Sequence, residues 1–259
     1  MKAVIIAGGE GKRLRPLTYE MPKPLIPVQG KAAIEYLVDN FIAYGCEKVI
    51  IVVRAKDEHF FRNWGLVYLH KNKDVDPKRL HMVIETIPVG TLGAIAKAVK
   101  GNIEEGESFF ATNADELKDI DLQELENVHN TAKVSRPGTL GTIVVKEMVE
   151  KETFGNVSYH NNVVTEFHEK KDVPGAVFAS LGLYVLNAMS VLQFYSEHQS
   201  QTGDSFAMVE NHLFPQLAQL GKLAGYEHKG QFYPTDDFQK WEKAILEYKH
   251  ENPRYPKNS

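Results

Sequence analysis

Three separated groups of residues have the types and spacing for phosphate chemistry. The first is Gly8-Gly9-Glu10-Gly11-Lys12-Arg13-Leu14-Arg15-Pro16-Leu17-Thr18, whose glycines let backbone N–H groups approach an anion closely. Its cations Lys12, Arg13 and Arg15, joined by Lys23, repel one another unless an anion sits among them, and three or more phosphates would supply one. Lys23 lies between Pro22 and Pro24, which restrict the backbone that aims its ammonium. The second group is Thr112-Asn113-Ala114-Asp115-Glu116. A carboxylate such as Asp115 at a strand end suits Mg²⁺, which keeps several waters and takes only one or two protein carboxylates. The third is the pair Glu169-Lys170. The plainer alternatives are a solvated basic turn, a carboxylate that caps a turn or helix, and a charged edge strand.

Two familiar phosphate loops do not fit the first group. The dinucleotide fingerprint requires glycine three residues after Gly11, where Leu14 stands. The P-loop requires glycine at Ile6, and serine or threonine at Arg13.

The elements that must position these groups alternate along the chain. Ala3 to Ala7 is an apolar run that ends in glycines, the pattern of a buried parallel strand. Ala32 to Tyr44 carries apolar residues at helical spacing and stops at Gly45. Lys48 to Val53, Leu80 to Glu85 and Phe109 to Thr112 read as further strands. Thr91 to Val99 reads as a helix, and so does the stretch from Asp121 to about His129. This alternation predicts a doubly wound, mostly parallel sheet with ligands at the carboxyl ends of its strands. Beyond Gly138 the strands Leu140–Val145, Asn156–Tyr159, Val163–Phe167 and Phe178–Leu186 follow one another with few helices between them. Helical patterns return at Ser205–Leu220 and Asp237–Tyr248, and a polar tail closes the sequence at Glu251–Ser259.

The long first motif, followed by Pro22-Lys23-Pro24-Leu25-Ile26-Pro27-Val28, resembles the signature of the sugar-1-phosphate nucleotidylyltransferases, the nucleotide-sugar pyrophosphorylases. The resemblance runs from about Met1 to Ala244. It implies a Rossmann-like α/β fold with a doubly wound mixed sheet, a β-rich sugar-binding insertion and no C-terminal β-helix. Residues 1–250 would form a single nucleotidyltransferase domain, with a nucleotide-binding part (1–135), a sugar-binding part (136–235), a C-terminal helix (236–250) and a tail (251–259). By resemblance Ala7, Gly8, Gly9 and Gly11 contact the nucleotide, as do Glu85 and Gly90 of the segment that reads the base. Arg13 holds the triphosphate and the leaving pyrophosphate, Lys23 holds the reacting phosphates, and Asp115 matches a metal-binding aspartate. The segment Phe167-His168-Glu169-Lys170 resembles one in which Glu169 meets sugar hydroxyls and Lys170 the sugar phosphate, and Gly182 and Tyr184 match a nearby sugar-contact segment. Lys12, Ala114 and Ser180 depart from the family pattern. Pro234 stands where relatives place a second metal aspartate, so that role falls to Asp236; Asp237 is read as a helix cap, and Glu116 and Asp119 as exposed.

The implied reaction joins a nucleoside triphosphate to a sugar 1-phosphate with Mg²⁺ and releases pyrophosphate. The first motif is most similar to enzymes of glucose and mannose 1-phosphates that use UTP, dTTP or GTP. The segment from Tyr226 to Asp236 resembles glucose-1-phosphate cytidylyltransferases, which keeps CTP with glucose 1-phosphate open. A regulatory homologue that binds nucleotide-sugar is motivated by Ala114, Ser180 and Pro234, and a non-sugar acceptor such as phosphocholine is a third reading.

Bulk properties bound the partners. The 259 residues fit one large α/β domain, and 43% hydrophobic with 25% charged residues is ordinary for a globular protein. A net charge of -4 disfavours nucleic acid as a partner. Cys46 is the single cysteine, so no intramolecular disulfide forms and no zinc cluster has ligand spacing. The N-terminal apolar run is too short for a signal peptide and no stretch reads as a membrane span. The expectation is a cytoplasmic protein that does not bind membranes and is a possible homo-oligomer.

Overall fold

The computed structural model describes residues 1–148, 154–171 and 178–250. The chain divides into two compact units. The first comprises Met1–Pro88, Asn113–Asp121 and the residues from Gly230 onward; the second comprises Val89–Thr112 and Leu122–Lys229.

The first 88 residues alternate strand and helix. β1 (Ala3–Ile6) leads through the glycine loop and a single turn, α1 (Leu17–Glu20), to the short strands β2 (Pro27–Val28) and β3 (Lys31–Ala32). Then come α2 (Ala33–Tyr44), β4 (Val49–Arg54), α3 (Glu58–Lys71) and β5 (Leu80–Glu85). β4 runs parallel to both neighbours, with Ala3 opposite Val49 and Arg54 opposite Glu85. Val49 to Val53 are all buried, as a parallel strand covered on both faces requires. α2 stops at Gly45, whose φ of 97° lets its N–H turn back to Phe41 and Ile42. Helix α3 is not anticipated by the sequence pattern: Gly65 lies within it, and Leu66 and Val67 face solvent.

The chain continues with α4 (Gly90–Val99), β6 (Ser108–Asn113), β7 (Glu116–Lys118) and α5 (Leu122–Ser135). After these come β8 (Gly141–Glu147), β9 (Gly155–His160), β10 (Val163–Glu169), β11 (Phe178–Asn187), α6 (Ala188–Thr202), α7 (Phe214–Gln219) and β12 (Leu223–Glu227). β13 (Phe232–Pro234) and α8 (Phe238–Glu247) return to the first unit, where β13 pairs with β7. In the second unit β12 lies parallel to β8, and the other pairings are antiparallel. They close a circuit β11-β8-β12-β10-β9-β11. β9 and β10 join through Asn161 and Asn162, both at positive φ (48° and 60°), as a tight hairpin turn demands. The protein is thus α/β with parallel and mixed strand pairings. Among the described residues no helix is long and apolar enough to cross a membrane.

Three sequence expectations change. α5 runs to Ser135, past the expected stop near His129. α6 occupies a stretch read as poor in helix; Asn187 caps it by accepting from the Ser190 N–H at 3.0 Å, and Gly203 at φ 70° ends it. Ser205–Met208 is not helical, because Ala207 exchanges backbone hydrogen bonds with Val89 and Leu92 (both 2.9 Å). Helix begins at Val209 as a π turn, Val209–Leu213. The tail 251–259 lies outside the described residues.

Packing in the second unit turns on Phe214, whose ring stands 5.2 Å from Phe167 and 4.7 Å from Tyr184. His129 of α5 supplies a buried polar tie: Nε2 meets Ser108 Oγ at 3.0 Å and Nδ1 meets Thr142 Oγ1 at 2.9 Å. Burial, with Lys133 adding to it, holds this imidazole down at about 4, so it is neutral in the folded protein. The unfolded chain takes up a proton near pH 6.5 that the folded chain refuses until about pH 4. This contribution is complete above pH 6.5 and is lost as pH falls toward 4, by roughly 3 kcal/mol at most. Urea unfolding at stepped pH should show a loss across that window that is smaller in His129→Gln. Equal acid slopes for the two proteins would refute it.

Candidate active site

In the first unit β1 hands the chain directly to the glycine loop. Ala7 is buried and its N–H bonds to the Val52 carbonyl at 2.9 Å. A Cβ at Gly8 would stand 3.1 Å from Glu85 Oε2, so Gly8 and Glu85 are neighbours across the strand ends; one at Gly9 would meet nothing. Gly11 has φ 60°, and a Cβ there would lie 2.8 Å from Thr18 Cγ2 and 3.1 Å from Lys23 Cβ. Thr18 fastens the loop by donating to the Gly11 carbonyl at 2.9 Å.

Three of the four cations Lys12, Arg13, Arg15 and Lys23 are paired with carboxylates. Lys12 meets Glu10 at 3.0 Å on the surface, and Arg15 lies over the Tyr19 ring at 5.1 Å. Lys23 is only 5% exposed and donates to Asp115 Oδ2 at 2.6 Å. Arg13 forms an ion pair with Asp236 Oδ2. Asp115 and Asp236 are tied to one another through the backbone: Thr235 donates to the Asp115 carbonyl from its N–H (3.1 Å) and its hydroxyl (3.0 Å). Asp236 Oδ1 is buried and accepts no hydrogen bond of adequate angle, although Lys240 Nζ stands 3.1 Å away. Burial alone would raise the Asp115 carboxyl, but the Lys23 ammonium outweighs it and holds the group below the ordinary carboxylate range. With 37% of the Asp115 side chain exposed, that contact rather than burial decides the direction.

Secondary structure fixes these positions. Ala114 N–H bonds to the Ile6 carbonyl at 3.1 Å, which sets Asp115 beside the end of β1. Ala114 is not among the positive-φ residues, so its side chain costs no strain here. Leu117 of β7 packs in a cluster with Val28, Ala33, Tyr36, Ala244 and Tyr248, which anchors α8 against α2 and the short strands. Trp241 adds a hydrogen bond from Nε1 to the Pro27 carbonyl at 3.0 Å. Asp237 caps α8, accepting from the Lys240 N–H at 2.8 Å, as its position suggested. Glu116 and Asp119, read as exposed, are both partly buried. Glu116 pairs at 2.8 Å with Lys118, whose side chain is 1% exposed. Burial pushes the Glu116 carboxyl up to about 7, against Lys118 and with Asp115 adding to it. Thr235, which draws the two aspartates together, and the buried Lys118 carry no signal in the sequence.

The other sequence-selected residues lie in the second unit. Gly90 has φ 73° and opens α4; a Cβ there would fall 2.3 Å from the Ala207 carbonyl oxygen. Glu169 ends β10 and pairs with Lys170 at 3.1 Å. Lys170 holds a left-handed φ of 49°, strained for a residue with a side chain. Gly182, φ 60°, sits at an irregularity in the β11–β8 pairing and accepts a hydrogen bond from Thr112 Oγ1 at 2.8 Å. Ser180 is buried and its hydroxyl has no hydrogen-bond partner.

A glycine loop after the first of several parallel strands, with cations on it and carboxylates opposite, is the arrangement of a Rossmann-like α/β protein. Solved structures share the fold. A UDP-glucose pyrophosphorylase complexed with UDP-glucose matches with a TM-score of 0.75 at 20% identity over 95% of this chain and 97% of its own. HddC from Yersinia pseudotuberculosis matches with a TM-score of 0.72 at 22% identity over 95% and 98%. The chain belongs to the nucleotidyl transferase family, whose model matches residues 2–242. It is also similar to the mannose-1-phosphate guanylyltransferase catalytic subunit beta of Xenopus tropicalis, 30% identical over 236 residues, 89% of this chain and 59% of that protein. The chain therefore spans about three-fifths of the length of that relative.

The crowding at Gly11 makes a direct expectation. Gly11→Ala forces a left-handed alanine against Thr18 and Lys23, and should destabilise the protein by roughly 1–2 kcal/mol. An unaltered urea midpoint would show that the loop can open without cost.

Proposed function

We propose that the chain transfers a nucleotidyl group from a nucleoside triphosphate to a sugar 1-phosphate. The observation that carries this reading is the pair of cation–carboxylate contacts, Lys23 with Asp115 and Arg13 with Asp236, drawn together beside the glycine loop by Thr235. In the reaction an oxygen of the sugar 1-phosphate forms a bond to the α-phosphorus in line, the bond to the β-phosphate oxygen breaks, and pyrophosphate leaves. Both reactants are anionic, so the protein's work is positioning and neutralisation. The N–H groups of Gly8, Gly9 and Gly11 cradle the nucleotide phosphates, with Ala7 at the strand end, and Glu85 and Gly90 border the base. Lys23 stabilises charge at the α-phosphorus and Arg13 charge on the leaving pyrophosphate. Glu169 orients sugar hydroxyls, Lys170 the sugar phosphate, and Gly182 borders the sugar.

Asp115 and Asp236 fit a Mg²⁺ ion, since Asp236 carries a buried oxygen without a well-aligned donor and Asp115 is a partly exposed carboxylate beside the end of β1. When bound there, Mg²⁺ would supply charge neutralisation at the phosphates. The cations that pair with these carboxylates are the same groups that phosphate would engage. Ligand entry therefore exchanges one set of charge contacts for another.

Pyrophosphate release tests the reading, with five nucleoside triphosphates set against several sugar 1-phosphates in Mg²⁺. Guanylyl transfer to mannose 1-phosphate, the activity named for the curated relatives, comes first, and CTP with glucose 1-phosphate second. Arg13→Ala should lower turnover by about two orders of magnitude or more, and Asp115→Ala should remove it. Full turnover in Arg13→Ala would take Arg13 out of the mechanism. No release with any pair, while nucleotide-sugar still binds by calorimetry, would favour a regulatory homologue.

A further inference from the structure

The π turn Val209–Leu213 packs against both α4 and β10. Single π turns are rare and concentrate at functional sites. Its Glu210 is 8% exposed. Thr91, the second residue of α4, donates its hydroxyl to Glu210 Oε2 at 2.7 Å and accepts the Val209 N–H at 2.9 Å. The Leu92 N–H and the Ala207 N–H add 2.9 Å backbone bonds that fix the 205–209 segment along the Gly90 turn. Gly90 has no room for a side chain against the Ala207 carbonyl. The same π turn packs against β10, the strand that ends in Glu169. Burial pushes the Glu210 carboxyl above the ordinary range against the Thr91 hydrogen bond, and Glu169 and Lys170 are the charged side chains it feels.

We propose that Glu210 is a positioning residue that links two halves of substrate recognition, setting the Gly90 turn through Thr91 and the Glu169–Lys170 pair through β10. This rests on the proposed transferase reading, in which the turn borders the base and the pair holds the sugar phosphate. Neither contact needs Glu210 to touch substrate. A buried carboxylate bonded to a threonine of α4, on a turn that packs against β10, conveys the position of one segment to the other. Thr91 is specific to one arm of this link, and the charge of Glu210 to the other.

The test is steady-state pyrophosphate release by the full chain, with the KM of each substrate read separately from kcat and the folded fraction checked by thermal unfolding. Glu210→Ala should raise the KM of both nucleoside triphosphate and sugar 1-phosphate by about tenfold or more, the scale of one lost hydrogen bond to a charged group. Thr91→Val should raise the nucleotide KM alone. Glu210→Gln, which keeps an acceptor for Thr91 and loses the charge, should restore the nucleotide KM but not the sugar-phosphate KM. A fall in kcat with both KM values unchanged, in step with the folded fraction, would reduce Glu210 to a packing residue and overturn the proposal. Nucleotide and sugar-phosphate KM values that move together in Glu210→Gln would overturn it too. A wild-type protein that releases no pyrophosphate with any pair brings down the transferase reading first, an outcome distinct from an active wild type with indifferent variants.

Discussion

The contact on which the first unit depends is that between Lys23 and Asp115, a nearly buried ammonium against a carboxylate ninety-two positions further along the chain. A buried cation is costly unless paired, so the pairing imposes conditions on both segments. The Pro22 and Pro24 flanks fix where Lys23 emerges, and Gly11 packs against its Cβ. The Ala114–Ile6 hydrogen bond, the β7–β13 pairing and the Thr235 contacts fix where Asp115 stands. α8 closes the arrangement through the cluster around Leu117 and Tyr248. The C-terminal helix is thus a remote support for the first loop.

Asp115 and Asp236 neutralise Lys23 and Arg13 and offset the repulsion that a bare basic loop would suffer. The protein therefore does not need to hold four unpaired charges in waiting, which explains how Lys23 is tolerated at 5% exposure.

The sequence exposes what rests on local pattern and hides what rests on distant partners. β1 and β4 are legible as apolar runs, β5 as a mainly apolar run broken by His81, and α2 by its spacing and Gly45 stop. α3 is not, because Gly65 and the outward Leu66 and Val67 erase any apolar stripe. α6 was missed because its composition is largely polar, and only the Asn187 cap marks its start. The Ser205–Met208 segment carries a helical spacing that backbone bonds between Ala207 and the Gly90 turn override. In the candidate site, the residues of the first unit could be selected from their motifs, yet nothing adjacent to them in sequence names the partner each one has. Glu116 illustrates the cost: as a charged residue after a loop it read as solvent-facing, whereas its neighbour Lys118 takes it into a buried pair. Glu210 gave no signal at all, since its role depends on Thr91, more than a hundred positions earlier.

The closed circuit of β11, β8, β12, β10 and β9 has a consequence for the life of the protein in a crowded solution. An open sheet ends in a row of unpaired N–H and C=O groups that can template pairing with another chain. Among the described residues every strand of the ring has a neighbour on both sides, but β10 meets β12 only at Val163 and Ala224, and β9 meets β11 only beside Phe178 and Ala179, so closure rests on two short seams. The β9–β10 corner of the ring is turned by Asn161 and Asn162, both at positive φ. A replacement there by β-branched residues would strain the turn and release β9 and β10 as an adhesive edge, turning a local backbone defect into self-association.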